Sequence, residues 1–159
     1  MVPTGIRLYR DEDFSQVVEI AISTLGASRS EAEGYLCWAS NERERNGTAQ
    51  IFIAESDGMV VGFMILQWGA TTWNNTAEIG WIAVLPQHQR KSLGSGLIKE
   101  MEQYARKKGL RKVYVEPSVE ADTALHFYIK NGYKPEAMRK DWYREGEDSV
   151  ILGKHLPKA

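Results

Sequence analysis

The stretch that decides the fold is residues 78–97, which read EIGWIAVLPQHQRKSLGSGL. Its first part, 78–84, is rich in β-formers and ends near Pro86, which predicts a strand. After a polar turn, apolar residues recur at helical spacing from Leu93 to Tyr104, which predicts a helix over 93–108 that Gly109 ends. Backbone N–H groups in such a turn meet the positive end of a helix dipole. The stretch therefore predicts an anion site suited to a pyrophosphate.

Two glycines at the start of this helix, Gly94 and Gly96, allow another group to approach the backbone closely, and Arg90 and Lys91 add positive charge. Tight packing or the entry into the helix would explain the glycines equally well. The Gly-Lys-Ser/Thr of a Walker loop is absent, and so is a strict Gly-x-Gly-x-x-Gly dinucleotide fingerprint. The glycines alone are therefore weak evidence.

Periodicity along the rest of the chain predicts the order β-α-α-β-β-β-α-β-α-β-β. The predicted strands are 6–9, 51–54, 60–68, 78–84, 112–116, 133–143 and 150–156, with Ser56-Asp57-Gly58 as a hairpin turn between the second and third. The other predicted helices start near 14, run from 30 to about 46–47, and span 122–130. We found no repeats or long linkers, and 159 residues fit a single α/β domain over 1–159.

Composition narrows the possible functions. Lys and Arg number 20 against 21 Asp and Glu, so nothing supports a broad nucleic-acid or anionic-membrane surface. A single cysteine, Cys37, rules out an internal disulfide, and we expect it half-buried on a helix. The three histidines have no spacing typical of a metal site. With no apolar run near the roughly 20 residues of a membrane span, we expect a cytoplasmic protein with no metal and no membrane partner.

The 78–97 segment resembles the signature of the GNAT superfamily of N-acetyltransferases: a strand, Val, Pro, then Gln/Arg-x-x-Gly-x-Gly/Ala opening a helix. The match here is Gln89-x-x-Ser92-x-Gly94, with Ser92 where the first glycine is usual. The segment 124–133, ALHFYIKNGY, is similar to the family's later signature, Ala-x-x-x-Tyr-x-x-x-Gly-Phe. The family often has Asn three residues before that Ala, where this chain has Ala121.

This resemblance implies a GNAT fold: a mixed, mostly antiparallel sheet flanked by helices and splayed between the fourth and fifth strands. It implies acetyl-coenzyme A as cosubstrate, with the pantetheine arm along the fourth strand and the pyrophosphate at the turn. The Val84 N–H would also stabilise the oxyanion, and Asp122 would take the place of the missing Asn. The cofactor-binding residues implied in this way are Ile82, Ala83, Val84, Gln89, Arg90, Lys91, Ser92, Leu93, Gly94, Ser95, Gly96 and Asp122.

Catalysis needs a neutral amine, and two carboxylates are candidates for the base. Glu78 resembles the base of histone-type acetyltransferases. Glu116, 12 positions before Tyr128, resembles the glutamate of ribosomal-protein N-terminal acetyltransferases, with Tyr128 as the acid that protonates the leaving thiolate. Each glutamate is otherwise a solvated charge at a strand end, and Tyr128 a packing aromatic. We favour Glu78, because a regular strand fixes its direction, and ordered water is the alternative proton route.

Three functions remain open at this point: acetylation of a protein N-terminus, acetylation of a small amine, and a non-catalytic acyl-coenzyme A sensor. The fold cannot choose between the two enzymes. We expect the acceptor pocket to form from the 26–46 region and the 71–76 loop, whose shape the sequence does not define. The oligomeric state is also open, although homodimers are common in the superfamily.

Overall fold

A computed structural model describes residues 5–69 and 73–158. It confirms the predicted order of elements. The helices are α1 Phe14–Leu25, α2 Arg29–Asn41, α3 Leu93–Lys107 and α4 Asp122–Lys130. The strands are β1 Gly5–Leu8, β2 Ala49–Ser56, β3 Met59–Trp68, β4 Thr76–Val84, β5 Lys112–Val115, β6 Lys134–Arg144 and β7 Glu147–His155. Among the described helices, none has the length and apolar character that crossing a membrane requires.

The seven strands form one sheet in the order β1-β2-β3-β4-β5-β7-β6. Every neighbouring pair is antiparallel except β4 and β5, which are parallel and pair only from Thr76–Lys112 to Glu78–Tyr114. Beyond Glu78 the two strands separate, so six residues of β4 have no partner on that side. This confirms the GNAT fold with its splay between the fourth and fifth strands.

Helices cover both faces of the sheet and define two cores. On one face α1 and α2 pack on residues such as Ile51, Phe63 and Ala83. On the other, α3 and α4 pack on residues such as Met64 and Ile79. Because strand residues alternate between faces, the two cores draw on different residues of the same strands.

The predicted hairpin turn is confirmed, whereas the end of the second helix and the exposure of Cys37 differ from the predictions. Asp57 and Gly58 both have positive φ, 52° and 75°, which is the geometry of a two-residue hairpin turn. The helix predicted to reach 46–47 instead ends its α-helical part at Asn41 and continues as a π-helical turn over Glu42–Asn46, stopped by Gly47 at φ 63°. Cys37 is exposed, which corrects the half-buried position expected for it, because it lies on the solvent side of α2.

Candidate active site

The end of β4 offers unpaired backbone groups to the gap. Leu85 donates its N–H to the Val61 carbonyl at 2.8 Å, and hydrogen-bonded pairs alternate with non-hydrogen-bonded ones along antiparallel strands. The backbone groups of Ile82 and Val84 therefore point away from β3, toward the side where β5 has diverged. The Val84 carbonyl accepts a hydrogen bond from Gln89 Nε2 at 2.8 Å. The backbone groups of Ala83, between Ile82 and Val84, point toward β3, where Ala83 pairs with Phe63.

The turn before α3 has a row of free donors. Within the described parts of the chain, no backbone N–H from 90 to 95 donates a hydrogen bond, and the first intrahelical bond runs from Gly96 to Ser92 at 2.8 Å. Ser92 has φ 61° and ψ 11°, and Arg90 has φ 60°. Ser92 thus holds the left-handed conformation that glycine adopts without strain, so the serine keeps the family's backbone shape. The start of a 15-residue helix fits a diphosphate.

The side chains around this turn divide into exposed cations and packed glycines. Arg90 and Lys91 are exposed, whereas Leu93 is buried beneath the turn. A Cβ on Gly94 would lie 3.0 Å from the Phe127 ring of α4, and one on Gly96 would lie 3.4 Å from Ile6. Tight packing therefore accounts for Gly94 on that side, while its N–H remains free. Asp122 opens α4 with an exposed side chain that has no recorded partner in the described residues.

Glu78 lies where the β4–β5 pairing ends. Its Oε2 accepts hydrogen bonds from Gln67 Nε2 on β3 at 3.0 Å and from the Tyr114 hydroxyl on β5 at 3.4 Å. Partial burial raises the pKa of the Glu78 carboxyl, the two hydrogen bonds oppose that rise, and the negative charge of Glu116 adds to it. A carboxylate whose pKa is raised is a stronger base than a solvated one.

Glu116 follows β5 and is fixed by three residues of β6 and β7. Its Oε1 accepts from the Ser149 hydroxyl at 2.5 Å and pairs with Arg139 Nε at 3.1 Å, and its side chain is 8% exposed. The Tyr143 hydroxyl donates to its backbone carbonyl at 2.5 Å. The side-chain direction that Pro117 left open in the sequence is thus set by the last two strands. Oε2 has no recorded partner in the described residues.

Tyr128 reaches the site from the α4 side. It is buried, with its ring edge-on to Phe127 and Tyr133 at centroid distances of 5.2 and 5.8 Å. Its hydroxyl has no hydrogen-bond partner within residues 5–69 and 73–158. Burial, with a smaller contribution from Tyr143, raises the pKa of the Tyr128 phenol, so the group is protonated at neutral pH, as a proton donor must be.

Tyr143 is the common neighbour of Glu78, Glu116 and Tyr128: its hydroxyl donates to the Glu116 backbone carbonyl, and it interacts electrostatically with Glu78 and Tyr128. The charges of Glu116 and Arg139 both act on the pKa of Glu78, and Tyr143 acts on that of Tyr128. The sequence analysis assigned no role in the site to the supporting residues Gln67, Tyr114, Arg139, Ser149 and Tyr143. They lie on four different strands, and only the strand register brings them together. Of the 71–76 loop expected to line the acceptor pocket, residues 71 and 72 lie outside the described part of the chain.

Comparison with known proteins decides the family. The family model described as Acetyltransferase (GNAT) family matches residues 14–133. The chain belongs to the GNAT acetyltransferase family. The match includes β4, the turn, α3 and the Tyr128 segment. A GNAT protein is an N-acetyltransferase with acetyl-coenzyme A as cosubstrate, and the free donors at 90–95 and along β4 fit that molecule.

Three known proteins illustrate the similarity of this GNAT protein. An N-alpha-acetyltransferase of Sulfurisphaera tokodaii is 28% identical, over 95% of this chain and 92% of that protein. A Bacillus subtilis protein, provisionally named a ribosomal protein bS18-alanine N-acetyltransferase, is 28% identical over 93% of each chain. The solved structure of a Bacillus subtilis acetyltransferase in complex with CoA has a TM-score of 0.75 and 18% identity, over 98% of this chain and 100% of the other. That last likeness concerns the fold alone.

Proposed function

We propose that this GNAT enzyme transfers the acetyl group to the α-amino group of a protein N-terminus. The observation that carries the proposal is that two anchored carboxylates, Glu78 and Glu116, and the Tyr128 hydroxyl, which is free within the described residues, all lie near Tyr143. The two relatives at 28% identity, which match nearly the whole chain, are both named for N-terminal acceptors.

The chemistry of an α-amine suits this site. A free α-amine has a pKa near 7.7–8.0, against about 10.4 for lysine, so a carboxylate of raised pKa suffices as base. In this proposal Glu116 attracts and orients the incoming ammonium with its free Oε2. Glu78, whose pKa is raised by burial, takes the proton. In this scheme one carboxylate, Glu116, binds the amine and a different one, Glu78, deprotonates it.

The remaining groups complete the transfer. Acetyl-coenzyme A supplies a thioester carbon that the neutral amine attacks, so that a C–N bond forms and the C–S bond breaks. The Val84 N–H, directed into the gap, stabilises the charge on the carbonyl oxygen. Tyr128 gives its proton to the departing sulfur, and the second proton that the nitrogen loses as the amide forms restores the Tyr128 hydroxyl. The proton on Glu78 returns to solvent. The N–H groups at 90–95 hold the diphosphate.

An acceptor panel tests this proposal. Thiol release from acetyl-coenzyme A is measured with short peptides that begin with Ala, Ser or Met, with the same peptides N-formylated but containing lysine, and with free amino acids and polyamines. We expect turnover only with free peptide N-termini, and mass spectrometry should place the acetyl group on the α-nitrogen. Turnover of polyamines or amino acids alone would make the acceptor a small amine. Coenzyme A binding without turnover of any acceptor would favour a sensor.

A further inference from the structure

A chain of hydrogen bonds connects helix α2 to Glu78. The Tyr35 hydroxyl on α2 donates to Gln67 Oε1 on β3 at 2.5 Å. Gln67 Nε2 in turn donates to Glu78 Oε2 at 3.0 Å. The residues lie on three different elements, and Gln67 and Glu78 are directly opposite each other in the β3–β4 register. The candidate base is therefore supported from the helical layer through the Gln67 amide.

The tyrosine at the start of this chain is held firmly. Its ring stacks on Trp38 at a centroid distance of 5.7 Å and meets Trp81 edge-on at 4.8 Å. Space for its hydroxyl comes from Gly80, because a Cβ there would overlap the Tyr35 oxygen. The β3–β4 register shifts between Ile65 and Leu66, opposite this glycine, so the strand bulges where the hydroxyl enters. The missing side chain at Gly80 and the packing of the Tyr35 ring thus both hold the Tyr35 hydroxyl against Gln67.

The direction of the amide follows from its partners. A glutamine side chain has a donor end and an acceptor end, and either can face a neighbour after a rotation of half a turn. The Glu78 carboxylate can only accept, so it takes the donor end of the amide, and the Tyr35 hydroxyl then donates to the acceptor end that faces α2. With Tyr114 donating to the same oxygen, Glu78 Oε2 is occupied from both neighbouring strands. Among the described residues no group bonds to Oε1, so Oε1 is the oxygen that takes a proton.

We infer that Gln67, oriented by Tyr35, is a positioning residue that keeps the Glu78 carboxylate ionised and turned for proton transfer. The inference rests on the proposed role of Glu78 as base. Gln67 is uncharged, so it holds the carboxylate without the strong stabilisation that an ion pair would bring, and the base stays reactive. The ionisable groups that face Glu78 come from α2, β5, the residue after β5, and β6: they are Tyr35, Tyr114, Glu116, Arg139 and Tyr143.

The test combines a pH–rate profile with a direct titration of Glu78. In Gln67→Met the Glu78 carboxylate loses a charge-assisted hydrogen bond, which should raise its pKa by about one unit. The acidic limb of the kcat/KM profile should therefore shift to higher pH by about one unit. Tyr35→Phe frees the amide to rotate and should move the limb in the same direction by less. The Glu78 carboxyl signal in ¹³C-glutamate-labelled protein, assigned with Glu78→Gln, should titrate higher by the same amounts without any acceptor present.

Matched controls come from a second, half-buried Gln–Tyr pair on the opposite face, in which Gln50 Nε2 lies 3.5 Å from the Tyr104 hydroxyl. Gln50→Met and Tyr104→Phe should leave both the limb and the Glu78 titration unchanged, whatever they do to stability. An unshifted Glu78 titration in Gln67→Met and Tyr35→Phe would overturn the inference. A shifted titration, together with a wild-type profile in Glu78→Gln, would uphold the positioning role and remove Glu78 from the proposed mechanism instead.

Discussion

At the residue scale, the three groups proposed for proton transfer are distinguished by what holds them. Glu78 is tied through Oε2 to amide and phenol donors, whereas Glu116 is tied through Oε1 to Ser149 and Arg139. Tyr128 is held by ring packing alone, and its hydroxyl is free within the described residues. Substitutions that keep shape and remove only proton affinity can therefore separate the roles of the three.

The first residue-scale prediction concerns Tyr128→Phe. The ring packing survives and the proton is lost, so kcat should fall by about 10²–10⁴-fold while the melting temperature changes little. Steady-state kinetics and thermal denaturation check this, with Tyr104→Phe as a tyrosine control away from the gap. A wild-type kcat, with single-turnover rates also unchanged, would reduce Tyr128 to a packing residue.

The second residue-scale prediction concerns the carboxylates of Glu78 and Glu116. Glu78→Gln removes the proposed base, so its loss of rate should be largest at low pH, where the amine is protonated, and should shrink toward the amine's own pKa of about 7.7–8.0. Glu116→Gln should raise KM for the peptide by a constant factor at pH values where the amine is an ammonium, and by less above the amine's pKa. The profiles of both single variants and the double variant check this. The reverse pattern would make Glu116 the base, and three wild-type profiles would leave ordered water as the proton route.

At the element scale, the turn into α3 contains a serine, Ser92, in the left-handed backbone conformation that usually favours glycine. Ser92 is exposed and left-handed, so its side chain contributes little packing and the shape comes from the backbone. Gly94 faces Phe127, which means that a bulky residue there would disturb the α3–α4 contact as well as the diphosphate site. Ser92 is the cleaner position at which to test the turn.

The element-scale prediction is a pair of substitutions at this position. Ser92→Gly should be no less stable than the wild type and should keep its affinity for coenzyme A, because glycine accepts a φ of 61° without strain. Ser92→Val should lose about 1–2 kcal/mol of stability and much of that affinity, because a β-branched residue resists the left-handed region. Denaturant titration and calorimetry measure both quantities. Equal affinity in the two variants would remove this turn from the cofactor site.

At the scale of the whole molecule, a buried charge network joins the elements behind the gap. Glu102 on α3 receives Lys154 Nζ from β7 at 2.8 Å and the Tyr133 hydroxyl at 3.4 Å. The same Lys154 nitrogen donates to the Asn131 carbonyl at the end of α4 at 2.9 Å. Since the Tyr133 ring packs edge-on against Tyr128, the network supports the proposed acid from behind.

The prediction at this scale is Lys154→Met. The substitution leaves the Glu102 carboxylate, 7% exposed, without its closest cation, so stability should fall by about 2–3 kcal/mol. That is below the cost for a fully buried pair, because Lys154 is 26% exposed and Arg106 remains 3.4 Å from Glu102. Urea denaturation checks the loss, with Lys99→Met on the exposed side of α3 as the matched control. Adding Glu102→Gln should restore much of the stability, and a single variant as stable as the control would contradict the role given to the network.

What the sequence determined by itself is local: the order of the elements, the turns, and the two motifs that place a strand, a donor-rich turn and a tyrosine helix along the chain. Hydrophobic periodicity and turn residues act over a few positions, so they can be read without the fold. Tertiary structure alone decided which oxygen of each glutamate is free, because Gln67, Tyr114, Arg139 and Ser149 lie 11, 36, 23 and 33 positions from their partners. It also decided that Ser92 adopts the glycine conformation and that Glu78, Glu116 and Tyr128 all come near Tyr143. Those contacts depend on strand register and on the separation of β4 from β5, and no single segment of the sequence contains either.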